Sequence, residues 1–225
     1  MTSAVVEGAL GADEAAGATV DVLAPGTETT VQDVPGRVGY WPVGVPPSGP
    51  MDSLSFRLAN RAVGNDDGAA GLECTASGPR LRFTDHRLVC VTGADMGAAL
   101  DGQQVPRWVP FMVPAGSVLS LASLRGPGLR AYIAIEGGLE VPPYLGSAST
   151  FTLGAFGGHM GRPLAVGDRI ALGTRHGRTI RPGAGGPTAR DIPRLTRTWS
   201  LAVLEGPHAA PEYFTSEDID LLYDS

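Results

Sequence analysis

The chain has 225 residues, 43% hydrophobic and 18% charged, a balance that reads as a soluble globular protein able to bury one large core or two small ones. Its 17 basic and 23 acidic residues give a net charge of −6, and no basic run follows a phosphate backbone, which argues against nucleic acid as a partner. Every basic residue is Arg; without Lys there is no internal Schiff base, pyridoxal-phosphate anchor, P-loop lysine or attached biotin on this chain.

The 32 Gly and 19 Pro cut the sequence into short runs and predict a mainly β protein. Residues 1–19 are rich in Ala and Gly, carry three acidic residues and no basic stretch, and read as a flexible leader instead of a targeting signal. No apolar run approaches the roughly 20 residues of a membrane span, so no membrane partner and a cytoplasmic location are expected. Cys74 and Cys90, in apolar strand-like surroundings, read as buried thiols of a reducing compartment.

A short alternating strand over residues 20–24 ends at Pro25-Gly26 and leads into the most unusual stretch of the chain, residues 29–52. Five Pro and four Gly punctuate it, so its polar residues Gln32, Asp33, Arg37, Ser48 and Asp52 sit on a backbone with few accessible conformations. Such a segment predicts a shaped connection, neither a helix nor a long strand. A helix follows, capped by Asp52 or Ser53, with Leu54, Phe56, Leu58, Ala59 and Ala62 apolar and Gly64-Asn65 as its stop.

Strands are then predicted over residues 69–75, 80–83, 87–92, 108–113, 118–124 and 129–136, with a hairpin turn at Asp101-Gly102. The spacing suits a barrel or sandwich, not a parallel βαβ sheet. A Ser/Thr-rich piece over 146–152 and a Gly-rich piece over 157–161 precede a further strand at 169–172. Residues 175–197, low in apolar side chains, predict a linker. A strand from Trp199 to Leu204 and an acidic helix over 217–223, capped by Thr215 or Ser216, open what reads as a second subdomain.

Familiar chemistries find no support. There is no Gly-x-Ser-x-Gly elbow. His86, His159, His176 and His208 are scattered without metal-ligand spacing, so no metal site is expected. The candidate site is the stiff loop, where each polar residue has both a functional and a structural use: Asp33 closes a turn or binds a ligand, Asp52 caps its helix or holds one, and Arg37 pins the loop or holds a carboxylate.

The loop also carries a resemblance. Val31-Gln32-Asp33-x-Pro35-Gly36-Arg37-x-Gly39, Gly44-Val45-Pro46-Pro47-Ser48-Gly49-Pro50-Met51-Asp52 and Leu58-Ala59-Asn60-Arg61-x-Val63-Gly64-Asn65 resemble the biotin-dependent carboxyltransferase family. That family takes in the carboxyltransferase part of urea carboxylase, allophanate hydrolase subunit 2, the C component of 5-oxoprolinase and KipA-type regulators, and the wording here is nearest the urea carboxylase branch. Gly157-Gly158-His159-Met160-Gly161-Arg162 and Gly167-Asp168 continue the likeness; His159 is expected to vary and is given little weight.

The resemblance implies a cyclophilin-like β-barrel lobe over 20–174, a linker over 175–197 and the start of a second subdomain over 198–225, with further family motifs lying beyond this stretch and the site incomplete without them. It implies transfer of a carboxyl group from carboxybiotin, carried on another chain, to an amide nitrogen, most closely that of urea. It also implies a companion carboxyltransferase subunit resembling allophanate hydrolase subunit 1, a biotin carrier, and a biotin carboxylase that uses ATP. Arg37 and Asp52 are the expected catalytic pair, with Gln32, Asp33, Ser48 and Asn60 lining the substrate. On that reading, Arg37→Ala abolishes transfer and leaves thermal unfolding nearly unchanged. A 5-oxoprolinase component acting on a cyclic amide, or a KipA-like binding protein without catalysis, are the alternatives.

Overall fold

A computed structural model describes residues 17–175, 186–202 and 213–224. They fall into two compact units, divided after Leu195. In the first unit the strands are β1 (Thr19–Ala24), β2 (Glu28–Gln32), β3 (Gly71–Thr75), β4 (Arg80–Phe83), β5 (Arg87–Gly93) and β6 (Ala99–Leu100). They continue as β7 (Gln103–Gln104), β8 (Phe111–Val113), β9 (Val118–Ser120), β10 (Arg130–Ile135), β11 (Leu139–Glu140) and β12 (Arg169–Leu172). One helix, α1 (Ser53–Ala62), interrupts the series.

These strands form two antiparallel sheets, in the orders β11-β12-β1-β4-β9-β6-β7 and β2-β3-β10-β5-β8. The architecture is mainly β, as expected, and among the described residues the barrel is not closed: two sheets share one core, and no ladder joins their edges. Val20, Val22, Leu81, Phe83 and Ile170 of the first sheet meet Leu72, Val89, Val91, Ile133 and Ile135 of the second, all at most 1% exposed. Alternation in the sequence explains the layering. In β4, Leu81 and Phe83 point into the core while Arg80 and Arg82 face water.

The second sheet is covered on its outer side as well. Leu88 and Cys90 of β5 and Ala134 of β10 pack against Ala59, Ala62 and Val63 at α1, which is why all seven residues of β5 are buried. Phe56 of α1 meets the Tyr132 ring edge-on, with centroids 5.9 Å apart. Asp52 caps this helix by accepting from the Ser55 amide at 3.0 Å, a contact worth about 1 kcal/mol.

The stiff segment differs from its expectation at both ends. Its first residues are ordinary strand: β2 pairs with β3 from Glu28↔Thr75 to Gln32↔Gly71. Its last are tied down by buried polar groups, the Met51 amide donating to Glu73 at 2.7 Å and the Asp52 amide to the Tyr132 hydroxyl at 2.8 Å. Between them lie a cis peptide at Val34-Pro35 and a 3₁₀ turn, Trp41–Val43, with Trp41 and Val43 exposed.

Of the expected leader, residues 1–16 lie outside the described residues, as do 176–185 of the expected linker. In the second unit, residues 199–202 form no strand, and the rest of the strand expected there, 203–204, lies outside the described residues. The acidic helix is present as α2 (Ser216–Tyr223). Thr215 and Asp218 build its capping box: the Asp218 amide donates to Thr215 Oγ1 at 3.2 Å, and the Thr215 amide donates to Asp218 Oδ2 at 2.9 Å.

Candidate functional site

Three of the six expected site residues, Gln32, Asp33 and Arg37, converge on one distant segment. Gln32 Oε1 accepts from the Gly49 amide at 3.0 Å, and its Nε2 donates to Thr30 Oγ1 at 3.0 Å and, more weakly, toward the Thr150 carbonyl. The Asp33 carboxylate accepts from Ser147 Oγ at 2.5 Å, Ser149 Oγ at 2.6 Å and the Ala148 amide at 2.8 Å. Arg37 donates from Nε to the Tyr144 carbonyl at 2.9 Å and from one terminal nitrogen to the Ser149 carbonyl at 2.7 Å. Its other terminal nitrogen reaches Ser48 Oγ at 3.5 Å, a marginal bond.

The guanidinium, expected either to pin the loop or to hold a carboxylate, is turned into its own lobe. Arg37 is 0% exposed, and its charge is balanced by carbonyl dipoles and by the Phe156 ring, whose centroid lies 5.0 Å from Cζ. Asp52 accepts from the amide and hydroxyl of Ser55 and bonds neither Arg37 nor Asp33. Asn60, also 0% exposed, donates to the Ala69 carbonyl and accepts from Asn65, fixing the end of α1 to the second sheet. Asp52 and Asn60 therefore belong to the helix, Gln32, Asp33 and Arg37 to the stitching of residues 144–150, and the Ser48 hydroxyl stands beside Arg37.

What Arg37 supports is the wall of a groove. A cleft of about 610 Å³ opens on the outside of this wall, lined by Val141, Pro142, Pro143, Tyr144, Phe156 and Met160 among others. Tyr144 and Phe156 pack with centroids 4.9 Å apart, and Phe151 meets Phe156 at 5.2 Å. Glycine is required at Gly157: its φ is +70°, and a Cβ there would collide with the Ser149 carbonyl and the Arg37 guanidinium. Three residues other than glycine in the wall, Leu145, Ala155 and Met160, also hold φ between 51° and 60°.

At the polar side of the groove stand His159, Glu140 and Arg169. His159 Nε2 lies 3.5 Å from Asp168 Oδ1, and the same carboxylate takes a bidentate pair from Arg162 at 2.7 and 2.8 Å. That pair and the Ala165 amide hold the Asp168 carboxyl at about 2, well below the usual range. None of these groove residues was singled out from the sequence as a site residue. The signals were the Gly157-Gly158 pair and the Ser/Thr cluster, whose meaning depends on contacts across 107 to 116 residues.

Both cysteines are buried, and burial pushes each thiol up to about 12, so neither is a nucleophile at neutral pH. Among the described residues no group of His, Cys, Asp and Glu is placed to hold a metal ion, and no helix is long and apolar enough to cross a membrane.

Fold and groove together define a mainly β domain with a loop-built cleft on one side. The chain belongs to the carboxyltransferase domain family, subdomains A and B, whose model matches residues 43–225. It is similar to urea amidolyase of Saccharomyces cerevisiae, 44% identical over 204 residues that make up 89% of this chain and 11% of that protein. It is 38% identical over 154 residues to the C component of 5-oxoprolinase from Escherichia coli, covering 68% of this chain and 48% of the relative. The solved Kluyveromyces lactis urea carboxylase matches with a TM-score of 0.80 at 40% identity, over 92% of this chain and 19% of that one. The chain thus spans about a tenth of the length of the urea amidolyases and about half that of the 5-oxoprolinase component.

Proposed function

We propose that this chain forms one side of a carboxyltransferase site that passes a carboxyl group from carboxybiotin to an amide nitrogen, with urea as the acceptor. The observation that carries this reading is the likeness to urea amidolyase over nearly the whole chain, joined to a groove of suitable chemistry. Biotin is carried on another chain or domain, since this sequence has no Lys to bear it. The system is completed by a biotin carboxylase using ATP, the carrier and a companion carboxyltransferase subunit.

The groove fits the group. A biotin head is a planar ureido ring fused to an apolar ring, and the apolar wall of Pro142, Pro143, Tyr144 and Phe156 faces polar His159 and Glu140. When bound, carboxybiotin supplies the carboxyl group to be moved. The chain's own residues bind and orient: the aromatic and proline wall takes the flat ring and excludes water. Arg37, Asp33 and Gln32 act as positioning residues that hold this wall, Ser48 stands beside Arg37, and Asp52 and Asn60 hold the helix beneath the loop.

The test is reconstitution of the chain with its companion, biotin carboxylase and carrier, with ATP and labelled bicarbonate. Urea-dependent ATP turnover that incorporates label and stops when avidin masks the carrier is the expected result. Cleavage of 5-oxoproline with ATP and without biotin would overturn it in favour of the 5-oxoprolinase reading. Activity on neither substrate, with tight binding to a partner, would favour a regulatory protein.

A further inference from the structure

His159 stands at the seam between the apolar wall of the groove and the Asp168 cluster. The Asp168 carboxylate is fixed by two bonds from Arg162 and one from the Ala165 amide at 2.7 Å, and it is ionised throughout the neutral range. His159 Nε2 lies 3.5 Å from the ionised Asp168 Oδ1, and a carboxylate that only accepts favours the neutral tautomer with its proton on Nε2. Nδ1 is then left as an acceptor. It makes no hydrogen bond to the described residues, yet it is not a buried orphan: Arg87 Nε is the single side-chain atom in that state among them. Nδ1 is therefore at least partly exposed, on a ring that lines the groove.

The charges around it select further. Arg162 is engaged with Asp168, and Arg169, the cation of the groove lining, bonds Asp21 at 3.0 Å. Glu140 and Asp168 add negative charge beside the ring, so a neutral N–H donor at His159 meets an acceptor. Resting on the reading that this groove is the ligand site, we propose that His159 sets its specificity. Its Nδ1 accepts a hydrogen bond from the N–H of a planar cyclic ureido or amide group whose flat face lies on the apolar wall.

Two probes of nearly equal shape test this: 2-imidazolidone, which has two N–H groups, and its N,N′-dimethyl analogue, which has none. In the 225-residue chain at pH 8, 2-imidazolidone is expected to shift the His159 Cε1–H and Met160 methyl resonances saturably. The dimethyl analogue should bind roughly three- to tenfold more weakly, the worth of one hydrogen bond. His159→Phe should erase that preference, and His159→Gln, whose amide oxygen can accept, should restore it. Acidifying the unsubstituted chain until the ring protonates, followed on the same Cε1 resonance, should erase it without any substitution. If both probes bind equally, or the Phe variant or the protonated ring keeps the preference, His159 is not the selector although the groove remains a ligand site. If neither probe shifts any groove resonance, the groove reading is lost too.

Discussion

Replacing Arg37 with Met separates a guanidinium that touches substrate from one that holds a wall. Two of its donors bond carbonyls at 2.9 and 2.7 Å, and a hydrogen bond from a charged group contributes about 1.5–3 kcal/mol. The contact with Phe156 adds about 0.5–2 kcal/mol, and the marginal bond to Ser48 nothing measurable. Desolvation of the buried charge offsets part of this sum, but Met leaves the Ser149 carbonyl without a partner and the Tyr144 carbonyl with only the Ser147 amide at 3.3 Å, so the expected loss is about 3–5 kcal/mol. In a unit of this size each kcal/mol moves the melting temperature by roughly 2–4 °C, giving a fall of about 10 °C in thermal unfolding followed by near-ultraviolet circular dichroism. Arg37→Lys should recover less than half, since one ammonium cannot reach both carbonyls at once in the guanidinium's geometry. A melting temperature lowered by less than about 3 °C, together with abolished carboxyl transfer in the reconstituted system, would refute the reasoning and return the guanidinium to the substrate.

Four further outcomes follow from the same contacts. Gly157→Ala forces a Cβ onto the Ser149 carbonyl at positive φ and should cost more than about 2 kcal/mol in chemical denaturation. Asp52→Ala removes the cap of α1 and should cost about 1 kcal/mol, whereas Asp52→Asn, which keeps an accepting oxygen, should cost roughly a few tenths. Asp168 has a folded-state value of about 2 against an ordinary 3.8, so its stabilisation is complete above the ordinary value and is lost as pH falls through the folded one. Asp168→Asn should therefore flatten the stability–pH curve between about pH 4 and 2 and cost about 2 kcal/mol at neutral pH. Cys74 and Cys90 should resist a thiol reagent in the native chain at pH 8 and react fully on unfolding; prompt native reaction would contradict their burial.

The sheets were legible because their signal is local. Arg80-Leu81-Arg82-Phe83 alternates by itself, and Asp101-Gly102 turns by itself. The first strand of the stiff segment was hidden for a physical reason: Thr29 to Gln32 are polar or β-branched residues whose burial depends on Thr150 and Gly49, not on an apolar pattern. Strand spacing suited a barrel or a sandwich alike; the choice between them depends on pairing between sheet edges, which no run of one strand encodes. Of the expected site residues, Asp33, Arg37 and Ser48 lie in the loop, Gln32 ends β2, and Asp52 and Asn60 belong to the helix; the resemblance pointed to the right family. Their direction was not readable. Arg37 bonds the carbonyl of a residue 107 positions away, and nothing in its own neighbourhood of sequence says whether a guanidinium faces in or out.

Those stitches have a consequence for how the molecule comes together. Contacts from Asp33 and Arg37 to residues 144–149 close loops of 107 to 116 residues, and they can form only once the intervening strands have found their ladders. The cleft is thus a late product of assembly, completed after the core has collapsed, and the 225-residue chain should acquire ligand affinity more slowly than it acquires β structure.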